Sequence, residues 1–545
     1  MVSEQRDSGN SKVPAQQEGL FLRNATGLVK SISAFGVFAW VVVNFPWLSS
    51  WAGIFWVTPS YYRNVNYYAG LGVWAAIAII IVLLYWQLTV AMPRSGGDYV
   101  FVSRMIHPLA GFIVGLFFFI AYSISAGSGP YWAFSEAGSH LSFSGGVLAS
   151  QWMTNLGAMI TPFAANSDKP LMFGVGLILL AVGATAALVA GRVLKAIIYG
   201  IFIYGIFVLA LVVGILLTHS SHAAFIQSYN QYASSFTNTT SAIFSQAATQ
   251  GYSPGYNLTN LFFVIPLLFV SIGPYPVMQN VGGEIKDPKK NLLYGFLGAE
   301  VLSIAIWFAL TWLLDSVVGI SFLEAWTVAP SAGGGFAPVP TIFVTVLAPN
   351  PVLVWIIFSG LFILNIGWSW LAFVFLSRVV MAWSFDRVIP TRFAHVSSRF
   401  NTPTYAVILC AAIAIVPMYL EFFTSFIATQ VNSIFILATV WILASISALV
   451  YPLRRKKQLY SSTETSSIGG VPVISLLGII GIIAFGYVGY SSIANPAVGP
   501  FATGAQIFLA AILAVGIAIF IASYYYNKRA HGVDLMLVFK ELPPE

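Results

Sequence analysis

The stretch NLTNLFFVIPLLFVSIGPYPVMQNV (257–281) is apolar and long enough to cross a bilayer, yet it carries Gly273, Pro274 and Pro276 close to its middle. In hydrocarbon every unpaired backbone N–H or C=O is costly, so spanning segments are normally unbroken helices. Proline removes a donor and clashes with the preceding turn. An interruption at SIGPYP (271–276) therefore frees backbone groups that need water, a solute or an ion as partner.

The rest of the chain has the same solvent. Soluble domains carry about 25% charged residues; this chain of 545 residues has 8%, and 58% of it is hydrophobic. The apolar residues fall in blocks of about 20 or more, the length that spans the hydrocarbon. Twelve spans are expected, at 29–56, 70–92, 109–134, 171–190, 194–218, 258–281, 293–317, 351–383, 403–421, 424–450, 471–493 and 503–526. The less apolar block 141–165, with Gln151, Asn155 and Pro162, reads as a helix or loop outside the membrane plane. The first 26 residues are polar, so no cleavable signal peptide is expected there. The single cysteine, Cys410, lies in an apolar run and reads as a buried, unreactive thiol.

Charge placement supports this count. With the N-terminus inside, every Lys and Arg except Arg63 and Lys169 falls on the inner side, as the positive-inside rule requires. Both ends are then cytoplasmic. The net charge of +7 is an orientation signal, not a nucleic-acid patch. The outer loop 219–257 has no Lys or Arg and holds the sequons Asn238-Thr239-Thr240 and Asn257-Leu258-Thr259.

Span 1, SAFGVFAWVVVNFPWLSSWAGIFW (33–56), is also interrupted, by Asn44, Phe45 and Pro46. Two interrupted spans, five apart and opposite in direction, point to an inverted repeat whose breaks meet near the midplane. There freed amides and helix N-termini face an anionic group and freed carbonyls face cations. A pair of structural proline kinks is the plainer reading, and fits Pro46 better than GPYP.

Three loops on the inner side sharpen the assignment. AMPRSGGDYVFVSR (91–104) carries Pro93, Gly96, Gly97, Tyr99 and Arg104; GGEIKDPKKN (282–291) carries Glu284, Pro288 and Asn291; SRVVMAWSFDRVIPTRFAHVSSRFNTP (377–403) carries Arg378, Ala382, Asp386, Pro390, Thr402 and Pro403. In order and at the right helix ends, these resemble the motifs of the amino acid–polyamine–organocation superfamily of transporters, over residues 27–450. The segment GVDLMLVFKELPPE (532–545) looks like the tails of archaeal and bacterial members.

The resemblance implies an all-α membrane protein of twelve helices. Helices 1–5 (27–218) and 6–10 (258–450) form a five-plus-five inverted repeat, with helices 11–12 at 471–526 and a basic cytoplasmic loop at 451–470. It implies alternating access around a central site in the plasma membrane, with an amino acid or related amine as substrate and no cofactor or metal. Carried over, the site falls on Ser271, Ile272, Gly273, Pro274 and Tyr275 of helix 6, whose carbonyls would take the amino group. The helix 1 side falls on Val43, Asn44 and Phe45. There the family's Gly-x-Gly, which offers amides to a substrate carboxylate, is missing. The Asn44 amide replaces those donors, or the substrate lacks a carboxylate. Asn365 and Ser369 lie where some relatives hold sodium, and Tyr122, Ser125 and Asn432 are further pocket candidates. A lysine midway along helix 5, which replaces sodium in other relatives, is absent; Lys195 stands only at the start of that span.

Two readings come from the residues themselves. Gly96 and Gly97 allow close backbone approach, and Asp98, Arg104, Glu284 and Arg378 are placed to form ion pairs that hold one gating state closed. Glu300, within span 7, is the candidate for coupling to protons, since an intramembrane carboxylate is costly and often functional; pairing with an inner arginine is its bland alternative. The coupling ion, H+ or Na+, stays open. A membrane enzyme lacks support: there is no HExxH or Walker A motif, and His107, His219, His222, His395 and His531 sit at helix ends or in loops. A non-transporting sensor or subunit would leave the two breaks without a use.

Overall fold

The computed structural model describes residues 27–45, 47–189, 192–219, 221–273, 276–424, 432–454, 467–494 and 503–542. The expected interruption of span 1 is present. Helix α1 (Ala34–Asn44), capped by the Ser33 hydroxyl accepting from the Gly36 N–H, stops at Phe45. The chain resumes as α2 (Trp47–Ala52), a π-turn (Gly53–Val57) and a last turn (Thr58–Tyr61). Then come α3 (Tyr67–Ala91), α4 (Gly97–Met105), α5 (Pro108–Val147), α6 (Gln151–Met159), α7 (Lys169–Val189) and α8 (Arg192–Thr218). Two short helices come next, α9 (His222–Tyr232) and α10 (Thr240–Thr249).

The second half begins with α11 (Leu258–Ile272), which ends at Gly273 with φ +66°. Only glycine adopts that conformation freely, so the break is written into the residue. Past the break the chain does not become α-helical, as an uninterrupted reading to residue 281 would require. It makes two 3-10 turns, Met278–Asn280 and Gly282–Glu284. Next are α12 (Pro288–Val317), α13 (Ile320–Val328), α14 (Thr341–Leu347), α15 (Pro351–Phe385) and α16 (Thr404–Phe423). The described part closes with α17 (Asn432–Arg454), a minimal hairpin of β1 (Ser467–Ile468) and β2 (Val471–Pro472), α18 (Val473–Ile493), α19 (Thr503–Ala530) and α20 (Leu535–Val538).

Eleven helices among the described residues are long and apolar enough to span a membrane, and the shorter α11 is apolar as well. Large apolar side chains left exposed, such as Ile178, Ile203, Trp312, Val416, Ile483 and Ile507, lie on these helices. Such exposure fits a lipid solvent and would be a liability in water.

The less apolar block 141–165 divides in two. Its first residues extend α5, which continues for 40 residues through Pro130 and on to Val147, and the rest holds the separate helix α6. Helix α5 survives its polar stretch because that stretch is buried among other helices. An alanine-like Cβ on Gly138 would come 2.5 Å from Thr161 Oγ1, and one on Gly129 would come 2.4 Å from Ser369 Cβ. Small residues of this kind let α5 and α15 pack backbone to backbone, which brings α5 against the middle of α15.

Candidate functional site

The two breaks adjoin one another. A Cβ added to Gly273 would meet the Phe45 ring at 3.0 Å, and one on Gly53 would lie 2.7 Å from Ser271 Cβ. The Trp74 indole N–H donates to the Gly273 carbonyl freed by the break. The π-turn at Gly53–Val57 packs against the end of α11 at Ser271. Widened turns of this type recur at functional sites.

Beside the breaks lies a cavity of about 300 Å³. Asn44, Phe45, Ser49, Gly53 and Trp56 form one wall, and Tyr131, Trp132, Ser135 and Glu136 of α5 another. Leu267 and Ser271 of α11, with Asn365 and Trp368 of α15, complete it. It extends along the half of span 1 that comes after the break, reaching Ser60, which is exposed, and Phe163. In its wall three side chains from three helices converge. The Ser49 hydroxyl donates to Glu136 Oε2 at 2.6 Å and lies 3.0 Å from Asn365 Oδ1. The Asn365 amide donates to the same Glu136 Oε2 at 2.9 Å. Asn44 donates weakly to the Tyr122 hydroxyl at 3.5 Å, while its own Oδ1, fully buried, has no partner among the described residues.

The sequence candidates thus separate. Asn44, Phe45, Ser271 and Asn365 line the cavity. Val43 packs against Gly367 of α15 instead. Tyr122 stacks on Phe118 at 4.5 Å, Ser125 donates to the Ala121 carbonyl, and Ser369 donates to the Ala126 carbonyl at 2.5 Å, a bond between α15 and α5. Ile272 is buried in the core at the end of α11, just before Gly273. Pro46, Pro274, Tyr275 and the side chain of Asn432 lie outside the described residues. Glu300 is buried on α12, its Oε1 without a partner among the described residues. One turn along, Ser303 accepts from the Trp47 indole at 3.0 Å, which places this part of α12 against the start of α2.

Glu136 is absent from the sequence candidates because the apolar signal of span 3 fades at Phe134. The signal that would have found it is the run of small residues, Gly127, Ser128, Gly129, Ser135, Gly138 and Ser139, which keeps the helix going as a packed interior segment. His140 and Glu421 escaped in the same way. His140 is buried in α5, and Glu421, near the end of α16, is buried and accepts from Ser128 at 2.7 Å.

The face at which α1 begins is closed by side chains from the three motif loops. Arg104 meets Asp386 through two bonds, Nη1–Oδ2 at 2.6 Å and Nη2–Oδ1 at 2.8 Å. The Tyr99 hydroxyl donates to Asp386 at 2.5 Å. Phe539 covers the Arg104 guanidinium at 4.8 Å, and the Glu541 carbonyl accepts from Arg104 Nε. Arg378 forms a second two-bond pair with Glu284, at 2.8 and 3.1 Å. The carbonyl of Glu284 also accepts from the N–H groups of Ser31 and Ile32, just ahead of α1, and Lys195 caps the Ser31 carbonyl at 3.0 Å. Asp98 pairs with no cation among the described residues. It accepts from Tyr85 at 2.5 Å and Gln279 at 3.1 Å, and burial pushes its carboxyl up to about 6 against the pull of those two bonds. Gly96, at φ +107°, brings the loop so near α15 that a Cβ would lie 2.5 Å from Ala382 Cβ.

On the other face Glu324 of α13 accepts from the Asn64 N–H at 2.9 Å and from Tyr252 at 3.0 Å. This ties the loop after span 1 to the connection between α12 and α15.

A sequence model of the amino acid permease family matches residues 32–520, nearly the whole of this arrangement. The chain belongs to the amino acid permease family. The permease also shows 26% identity over 105 residues to uncharacterized protein 399 of Sulfolobus islandicus rod-shaped virus 1, a match that covers 19% of this chain and 26% of that protein's length. It carries no functional argument.

Proposed function

We propose that the protein is a secondary active transporter that carries an amino acid or related amine across the plasma membrane by alternating access. Twelve spans in a five-plus-five inverted repeat, with both ends cytoplasmic, complete the reading. The observation that carries it is the meeting of two broken helices at one cavity, while the opposite face is shut. Phe45 lies against Gly273, and the cavity extends from there along the second half of span 1 only. At the other face the buried pair Arg104–Asp386 joins the two halves of the chain, while Arg378–Glu284 lies within the second half and is tied to the first by the Ser31 and Ile32 N–H groups on the Glu284 carbonyl. With the positive-inside orientation this is an outward-facing state with a sealed cytoplasmic side. A solute entering the cavity reaches the break but cannot pass until the pairs part.

The test is uptake by the purified full chain in liposomes, with labelled amino acids and amines. Accumulation above protein-free vesicles supports the reading; saturable binding without uptake for every solute would assign a sensor instead. Glu300 is the proposed proton carrier, on the strength of its burial beside α2 and of an oxygen without a partner among the described residues. Glu300→Gln is then expected to retain uptake but lose its response to a pH gradient. An unchanged response rules Glu300 out and assigns the proton to another buried carboxylate, such as Glu136 or Glu421; a wild-type protein with no response to the pH gradient would leave sodium or exchange as the driving mode.

A further inference from the structure

The cavity's chemistry is one-sided. Among its described lining residues Glu136 is the one acidic or basic side chain, with no Lys, Arg or His beside it. Glu136 is 4% exposed, and both of its protein donors, Ser49 and Asn365, bind Oε2. That fixes the carboxyl group's orientation and leaves Oε1 without a hydrogen bond from the described residues. Asn44 Oδ1, at the break, is a second buried acceptor without a partner among those residues. The remaining wall is largely aromatic, with Trp56, Tyr131, Trp132 and Trp368 among the rings, and ring faces attract cations.

Nothing comparable awaits an anion among the described residues. The Phe45 N–H at the break is already taken by the Val41 and Val42 carbonyls, and helix 1 has no glycine-rich turn there. A zwitterion would bring its carboxylate beside that of Glu136 with no cation among the described lining residues to meet it, and like charges disfavour each other. A cation bearing N–H donors meets a counter-charge, an acceptor and rings.

We propose, resting on the transporter reading above, that this cavity selects an organic cation without a carboxylate, an alkyl or aryl-alkyl amine. Glu136 is the counter-charge to its ammonium group. Ser49 and Asn365 are positioning residues that hold the carboxylate in place.

Pairs of compounds that differ by the carboxylate alone provide the test: arginine and agmatine, lysine and cadaverine, tyrosine and tyramine. Binding is read as thermal stabilisation of the purified full chain, and transport as uptake by liposomes. In at least one pair the amine is expected to bind at least tenfold more tightly than its parent amino acid. Glu136→Gln should cut that preference at least tenfold, and Glu136→Asp should keep more of it than Gln does. If the amino acid of every pair binds as well as or better than its amine, the inference is overturned, and this wild-type result does not depend on any variant folding. An unchanged preference in monodisperse Glu136→Gln protein also overturns it. Amine binding with no uptake would leave the selectivity standing and remove the transporter reading. Preferred uptake of amino acids would do the reverse, and no binding by any of the six would remove both.

Discussion

Replacing Asp386 with Asn keeps the shape of the side chain and removes its charge. Arg104 would then be buried, at 2% side-chain exposure, with no carboxylate within reach of its fork. Breaking a buried pair from one side costs ~3–5 kcal/mol, because the remaining charge has lost its compensation. The penalty falls on the state in which the pair is made. If the opposite face opens by separating Arg104 from Asp386, the closed state loses that energy and the open state does not. At about 1.4 kcal/mol per tenfold, the open-to-closed ratio rises roughly 100-fold to 1,000-fold or more. A cysteine at Ser95, paired with Val281 in this face and 8% exposed, reports the change. In a Cys410→Ala background, where the buried native thiol is gone, maleimide should label Ser95→Cys much faster once Asp386→Asn is added. Adding Arg104→Gln as well removes the orphaned charge and should restore slow labelling. Labelling that does not change with Asp386→Asn, or that stays fast in the double variant, would refute the assignment of this pair as the closure.

Asp98 gives the closed face a pH dependence. Its carboxyl is raised from 3.8 to about 6, so the folded protein keeps a proton that the unfolded chain has released. The stability it contributes is fully present below pH 3.8 and is lost as pH rises through 6, a change of about 3 kcal/mol at 1.36 kcal/mol per unit. Asp98→Asn is expected to flatten the Tm profile across that window in detergent, and a profile identical to wild type would count against it. Gly53→Ala would put a methyl group 2.7 Å from both Cβ and Oγ of Ser271; a cost of about 1–3 kcal/mol and weaker solute binding are expected in thermal-shift titrations. Ser271→Gly, which removes the clashing atoms, should recover both, and failure to recover would mean that α2 and α11 do not meet there.

The breaks were legible because their residues are chemically unambiguous. Gly273 takes φ +66° and Asn44 ends α1 ahead of Pro46. The path of the chain after the second break was not legible, since the apolar run VMQNV is compatible with a helix or with the 3-10 turns it forms. The loop charges were singled out from their motifs, but pairing was only half readable. Glu284 does meet Arg378, whereas Arg104 goes to Asp386 and Asp98 to neutral partners. Partner choice depends on how 91–104 crosses α15, which no local pattern encodes. Glu136 escaped because polar residues inside a bundle look, along the sequence, like the end of a span.

Phe539 and Glu541 add a cover to the closure. They lie over the Arg104 guanidinium, and Phe539 also rests on Tyr99 and on Phe520 of α19. Ser523 and Asn527 of α19 in turn grip the Arg387 carbonyl, next to Asp386. Water reaches that guanidinium only if Phe539 and Glu541 move off it. Helix α19, whose side chains are mostly exposed, thus braces the closed face through Phe520, Ser523 and Asn527 without lining the cavity.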